Sequence, residues 1–393
     1  MAERDSEEVG YGLTLERKYY NTLDIEGFSS MMKDPSYCYK FYWLEAIVHL
    51  ISEGISETTF DAVINEMICN AWYSVREFHI HLSGIQSDGQ VRDGLERAVL
   101  TLSELSDLPA NASKVEIKNA ICKYDAELKS AKEQLTNMVP YRALSGFFPK
   151  RLKESEWAVG RITAYIRKLN EDTVLLPYVL GEERKLNKRV CFQPAWVEMI
   201  QDNTVSILGW IQYEKVKWLQ NNNPEVPGLI YKLAPMDEKM RKLNNVRKLW
   251  EGILEYREIR DVFTDDVITH KKYDVDHFIP WSFVMNDELW NLMPMDSSLN
   301  SSKSNRLPQW DPFFERFARN QFILYGLIHA RPDVHKLFEA CYRDNLHSIW
   351  AGQELYRKGN SEAEFYNILE KNMHPVYDSA RRQGYEVWDR DIN

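Results

Sequence analysis

Thirty-six consecutive residues, 273–308, constrain this chain more than the rest of it. They begin Tyr-Asp-Val-Asp-His-Phe-Ile-Pro, pass through Leu-Trp-Asn-Leu-Met-Pro, and end Asn-Ser-Ser-Lys-Ser-Asn-Arg-Leu-Pro. Val275, Phe278 and Ile279 suit a strand, and Pro280 interrupts regular pairing because it lacks a backbone donor. The chain can turn through residues 281–288, return as a second extended run over 289–295, and start a short helix over 298–304. That order folds the ends of the window together and brings Asp276 near Asn300. The window therefore collects an Asp-His pair, Asn291, Asn300 and Lys303 in a unit too small to hold itself together without support. No cysteine pair is available to brace it, and Trp281 and Trp290 are expected to pack it instead.

The remainder sets limits on what the window can serve. At 393 residues the chain can bury at least two cores, and its 44% hydrophobic and 27% charged content is that of a globular protein. Five cysteines (Cys38, Cys69, Cys122, Cys191, Cys341) are scattered without a Cys-x-x-Cys pair, which fits reduced thiols and offers no zinc framework. No apolar run reaches the length of about 18 residues that a membrane span needs, and the first residues are acidic, so a cytoplasmic location without membrane partners is expected. The net charge of −10 and pI near 5.5 argue against a protein that coats nucleic acid nonspecifically. They leave room for a local basic face.

Periodicity predicts a mostly helical chain in four sections. Residues 1–145 form a helical section, with helices over 37–51, 59–82, 94–108 and 113–138. The aromatic cluster Tyr37, Tyr39, Phe41, Tyr42 and Trp43 covers too many faces of one helix to be a base-stacking platform and reads as core. Residues 146–235 form a basic connecting section, with two short strands near 174–180 and 190–192 and a polar turn between them. Arg184, Lys185, Lys188 and Arg189 make that turn a candidate phosphate-facing surface, although a solvated charged face accounts for it equally well. Residues 236–310 carry a leading helix and the window, and residues 311–393 carry three helices that pack on it.

The window resembles the HNH endonuclease motif of the ββα-metal superfamily. It is most similar to the HNH domain that cuts the guide-paired strand in RNA-guided CRISPR nucleases. The matching residues are 273–277, Pro280, Ser282-Phe283, Asn291, Asn300, Lys303 and Leu307-Pro308. The resemblance implies an α+β fold, predominantly α-helical, with a small ββα-metal nuclease core. It implies a metal-dependent endonuclease that hydrolyses DNA by a one-metal mechanism. Asp276 and Asn300 would hold the ion, His277 would act as general base, Asn291 would fix its ring, and Lys303 would pair with a phosphate. Lys271, Lys272 and Arg306 flank the window as candidate backbone contacts. Where many relatives carry a second histidine this chain has Asn300, which shifts the expected cofactor toward Mg²⁺ or Mn²⁺ and away from zinc.

Such cores are grafted onto many scaffolds, so target choice is expected to lie in the helical N-terminal section, through DNA, a protein partner or self-assembly. The chain as a whole resembles stand-alone bacterial HNH effectors of restriction or antiphage defence. A nickase or repair nuclease acting on structured DNA, and a silent HNH-fold binding scaffold, are the alternative readings.

Overall fold

A computed structural model describes residues 13, 15–33, 35, 37–83, 93–149, 152–172, 175–233, 241–269 and 273–389. The chain forms two compact units, Met1–Pro224 with Lys232–Ala234, and Glu225–Tyr231 with Pro235–Asn393. Sections 236–310 and 311–393 of the sequence thus share one unit, while residues 1–145 and nearly all of 146–235 share the other. The fold is α+β and predominantly helical, as expected. No helix among the described residues is long and apolar enough to cross a membrane.

In the first unit the helix Tyr39–Ser52 is the axis. It packs against Phe60–Phe78, Pro194–Asp202 and Thr204–Asn222, which leaves it buried on nearly every side. Phe41, Tyr42 and Trp43 are core, and the Trp43 indole donates to the Tyr178 hydroxyl, which donates in turn to the Pro140 carbonyl. The helix expected over 59–82 starts only at Phe60. Glu57–Thr59 is instead a strand, β1, and the Thr59 hydroxyl caps the helix by accepting from the Ala62 amide. β1 extends the expected hairpin of β2 (Tyr178–Leu180) and β3 (Arg189–Phe192) into a three-stranded antiparallel sheet of order β1-β3-β2. A three-residue strand has too short a pattern to be read ahead of a strong helix signal. The expected helix over 113–138 is two helices, Lys114–Lys123 and Asp125–Leu135, broken at Tyr124, with a Ser113/Glu116 capping box at the start. Gly146 lets the backbone cross Gly27 and Met31: a Cβ there would lie 2.3 Å from the Gly27 carbonyl oxygen.

The second unit is built around the window. Strands β4 (Tyr273–His277) and β5 (Leu292–Asp296) pair antiparallel, with Tyr273 opposite Asp296 and His277 opposite Leu292. The helix Ser297–Lys303 follows directly, capped by the Asp296 carboxylate, and packs on both strands. Leu307–Pro308 (β6) pairs in parallel with Val387–Trp388 (β7), so the end of the chain closes over the end of the window. Around this lie Asn244–Leu254, Trp310–Ala330, Pro332–Asn345 and Glu362–Arg382. Phe278 is seated among Trp310, Phe314 and Phe317. The indole of Trp290 lies 5.3 Å from that of Trp350 and donates to Ser348.

One buried ion pair stands out in the first unit. Lys215 Nζ lies 2.9 Å from Glu45 Oε2, with both side chains almost fully excluded from water. Deleting one partner strands the other charge, which typically costs about 3–5 kcal/mol. Glu45→Ala is therefore expected to lower unfolding free energy by about that amount in urea titrations of the full chain. The double replacement Glu45→Leu with Lys215→Met should recover most of the loss. Equal stability of Glu45→Ala and the native chain would contradict the pairing.

Candidate active site

The alternation of β4 divides its side chains between two environments. Tyr273, Val275 and His277 are buried, Asp274 is partly exposed, and the Asp276 side chain keeps only a small exposed part. The Lys303 ammonium, fully buried at the end of its short helix, donates to Asp276 Oδ2 at 2.9 Å and to the His277 carbonyl at 2.8 Å. Lys303 thus holds the strand rather than facing solvent. Asn300, three residues earlier on the same helix, is half-exposed. Arg306 closes the helix by donating to the Ser302 and Lys303 carbonyls.

Asn291 is buried, and both ends of its amide meet one residue. Its Oδ1 accepts from the Ile279 amide and its Nδ2 donates to the Ile279 carbonyl, each at 2.8 Å. The Asn291 carbonyl also accepts from the Phe278 amide. This clasp satisfies the backbone where Pro280 ends the strand. The side chain meets Ile279 rather than the imidazole.

The groups on the His277 ring come from elsewhere in the unit. Nδ1 lies 3.2 Å from Arg241 Nη2. Nε2 lies 3.1 Å from the Asn286 carbonyl oxygen and 3.2 Å from Asp287 Oδ1. Asp287 Oδ2 accepts from the Lys242 amide at 2.7 Å, and Asn345 Nδ2 bridges the Lys242 and Asp287 carbonyls. Burial, the largest single influence on Asp287, pushes its pKa up. The His277 hydrogen bond, the Lys242 amide and the Arg241 charge outweigh it and hold the carboxyl below its ordinary value. Arg241 and Asp287 have no periodic or motif signal, and sequence reasoning missed them. Only the return of residues 241–242 past the 286–287 turn reveals them.

The donor set at this edge fits a hard divalent cation. Asp276 offers a carboxylate and Asn300 an amide oxygen, and among the described residues no cluster of three or more His, Cys, Asp or Glu is placed to hold a metal. Two protein oxygens with water and phosphate completing the shell is the pattern that Mg²⁺ tolerates. Asp274 lies 3.7 Å from Arg247.

The other candidate contacts are dispersed. Lys271 and Lys272 lie outside the described residues. In the first unit Lys188 is buried and donates to the Gly181 carbonyl, Lys185 pairs with Glu133 at 2.7 Å, and Arg189 pairs with Glu183 at 2.6 Å. Arg184 is exposed.

The clasp makes a direct prediction. Asn291→Ala leaves the buried Ile279 amide and carbonyl without partners, at about 1–3 kcal/mol for each group. The second unit should unfold at lower urea, and amide exchange at Ile279 should rise. Native stability with selective loss of activity would instead place Asn291 in the chemistry.

A model of the HNH endonuclease family matches residues 261–309, the segment running from the Asp261 turn through β4, β5 and the short helix. No curated protein and no solved structure matches the chain. HNH nucleases act on nucleic acid and generally use a divalent metal ion. Strand, strand and helix stand in the order the motif requires, and residues 261–309 are an HNH-family domain.

Proposed function

We propose that this protein is an HNH endonuclease that hydrolyses phosphodiester bonds of DNA, with Mg²⁺ or Mn²⁺ held by Asp276 and Asn300. The observation that carries this reading is that Lys303 ties the Asp276 carboxylate and the His277 backbone together at the end of β4, with the helix that bears Asn300 packed against both strands. The bound ion would offset charge on the phosphate and on the leaving oxygen.

The chain's own groups supply the rest. Lys303 holds Asp276 through one oxygen, which aims the carboxylate while leaving the other oxygen for a ligand. His277 would take a proton from the attacking water, a role that an imidazole fills near neutral pH. Its Nδ1 is engaged by Arg241, so the guanidinium must first turn away. A substrate phosphate gives it a stronger, bidentate partner than a ring nitrogen. Arg241 is well placed for that exchange, being partly exposed and lying over the Trp281 face at 5.5 Å.

Target choice is assigned to the first unit, either through DNA at the Arg184–Arg189 segment or through a protein docked on its helices. Of the segment's cations Arg184 is the one supported as a DNA contact, since Lys185, Lys188 and Arg189 are bonded within the unit. A cytoplasmic setting is supported by five free cysteines. The assignment to restriction or antiphage defence is supported by the sequence resemblance.

His277→Ala is expected to lower plasmid cleavage about 10²- to 10⁴-fold with the fold intact by circular dichroism. Chelator should abolish cleavage, and Asp276→Ala or Asn300→Ala should do the same at any Mg²⁺ concentration. Robust cleavage in chelator would sink the metal-dependent reading. A folded protein that binds DNA but never cuts it would favour the scaffold reading. Separately, Arg184→Glu should weaken DNA binding and lower the salt slope by about 1; an unchanged slope would remove that segment from the interface.

A further inference from the structure

The hydrogen-bonding partners of His277 determine which of its nitrogens carries the proton. A guanidinium has five donors and no acceptor. Arg241 Nη2, 3.2 Å from Nδ1, therefore requires a lone pair on that nitrogen. On the other side of the ring, Nε2 faces two oxygens, the Asn286 carbonyl at 3.1 Å and Asp287 Oδ1 at 3.2 Å. Both are acceptors, and a lone pair on Nε2 would point at them in a site shielded from water. The consistent assignment is a proton on Nε2 and a lone pair on Nδ1.

Asp287 is built to hold that arrangement. Its side chain is nearly fully buried, its Oδ2 is fixed by the Lys242 amide, and its backbone carbonyl is fixed by Asn345. Oδ1 is left in a buried position without a fully aligned donor, facing Nε2 and, at 3.9 Å, Arg241 Nε. A buried carboxylate oxygen gains most from the one N–H that can turn toward it. Asp287 also lies in the same turn that supplies the Asn286 carbonyl, so one turn presents both acceptors to Nε2.

We propose that Asp287 is the positioning residue of the nuclease site: it fixes His277 as the Nε2–H tautomer and thereby makes Nδ1 the proton-accepting atom. This rests on the reading of His277 as general base, but the tautomer itself is open to measurement without turnover. Asp287→Asn is the informative variant. The Lys242 amide orients the new side chain with its oxygen toward Lys242 and its NH₂ toward the ring, which replaces an acceptor by a donor opposite Nε2.

The test is a long-range ¹H–¹⁵N spectrum of the full chain labelled with ¹⁵N-histidine, with His277 assigned by its loss in His277→Gln. The native protein, free of metal, should show the Nε2–H pattern. Asp287→Asn should move His277 toward the Nδ1–H form and lower kcat for plasmid cleavage about 10²-fold or more, with KM little changed. An Nδ1–H ring in the native protein overturns the proposal by itself, even if the variant fails to fold. A folded variant that keeps the Nε2–H ring, or cuts at the native rate, also overturns it. If the native protein cuts no nucleic acid with any divalent ion, the nuclease reading fails, and the two spectra still decide whether Asp287 sets the tautomer.

Discussion

The buried ammonium of Lys303 is the contact on which the rest of the site depends. A cation withdrawn from water costs several kcal/mol unless it is paired and hydrogen-bonded. Here it finds the Asp276 carboxylate and the His277 carbonyl within 3 Å. The helix Ser297–Lys303, at seven residues, is too short to be stable alone. Docking its last residue into β4 holds the helix, with Asn300 one turn back, against the strand that carries Asp276. The same bond pairs the Asp276 carboxylate with a buried cation.

Small ββα units need bracing, and this one receives it from buried polar side chains of the surrounding unit. Gln321 donates to the Leu289 and Leu292 carbonyls at the start of β5. Glu288 accepts from the His347 and Ser348 amides. Asp261 accepts from the Asp296 amide at the strand's end, just before the helix begins. Each ties an irregular stretch of the window to an element far along the chain, where an unpaired backbone group would be costly. Such bonds are directional, so they fix position where aromatic packing around Phe278 and Trp290 supplies cohesion.

The first unit places its charges differently. Lys132 lies buried between Asp61 and Asp125, Lys215 is paired with Glu45, and Glu66 is held at a pKa of about 2: burial pushes it up, but His49, Lys114 and Lys118 more than offset that. Many of its cations are thus matched by acids of the same unit. A net charge of −10 with internally matched cations works against indiscriminate attraction to phosphate.

The sequence by itself determined the helical class, most helix positions, and the strand, strand and helix of the window. Those features are written in local periodicity and in a motif contained within residues 273–308. It also brought Lys303 together with Asp276 and His277, because a short folded window leaves them little freedom. Only the tertiary structure decided what each polar group touches. Asn291 turned out to clasp Ile279, Lys303 to hold Asp276, and the ring of His277 to be framed by Arg241 and Asp287. Arg241 lies 36 residues before His277, and no periodicity links the two. Their meeting depends on how the helix Asn244–Leu254 and the 286–287 turn pack, a constraint that exists only once the unit has folded.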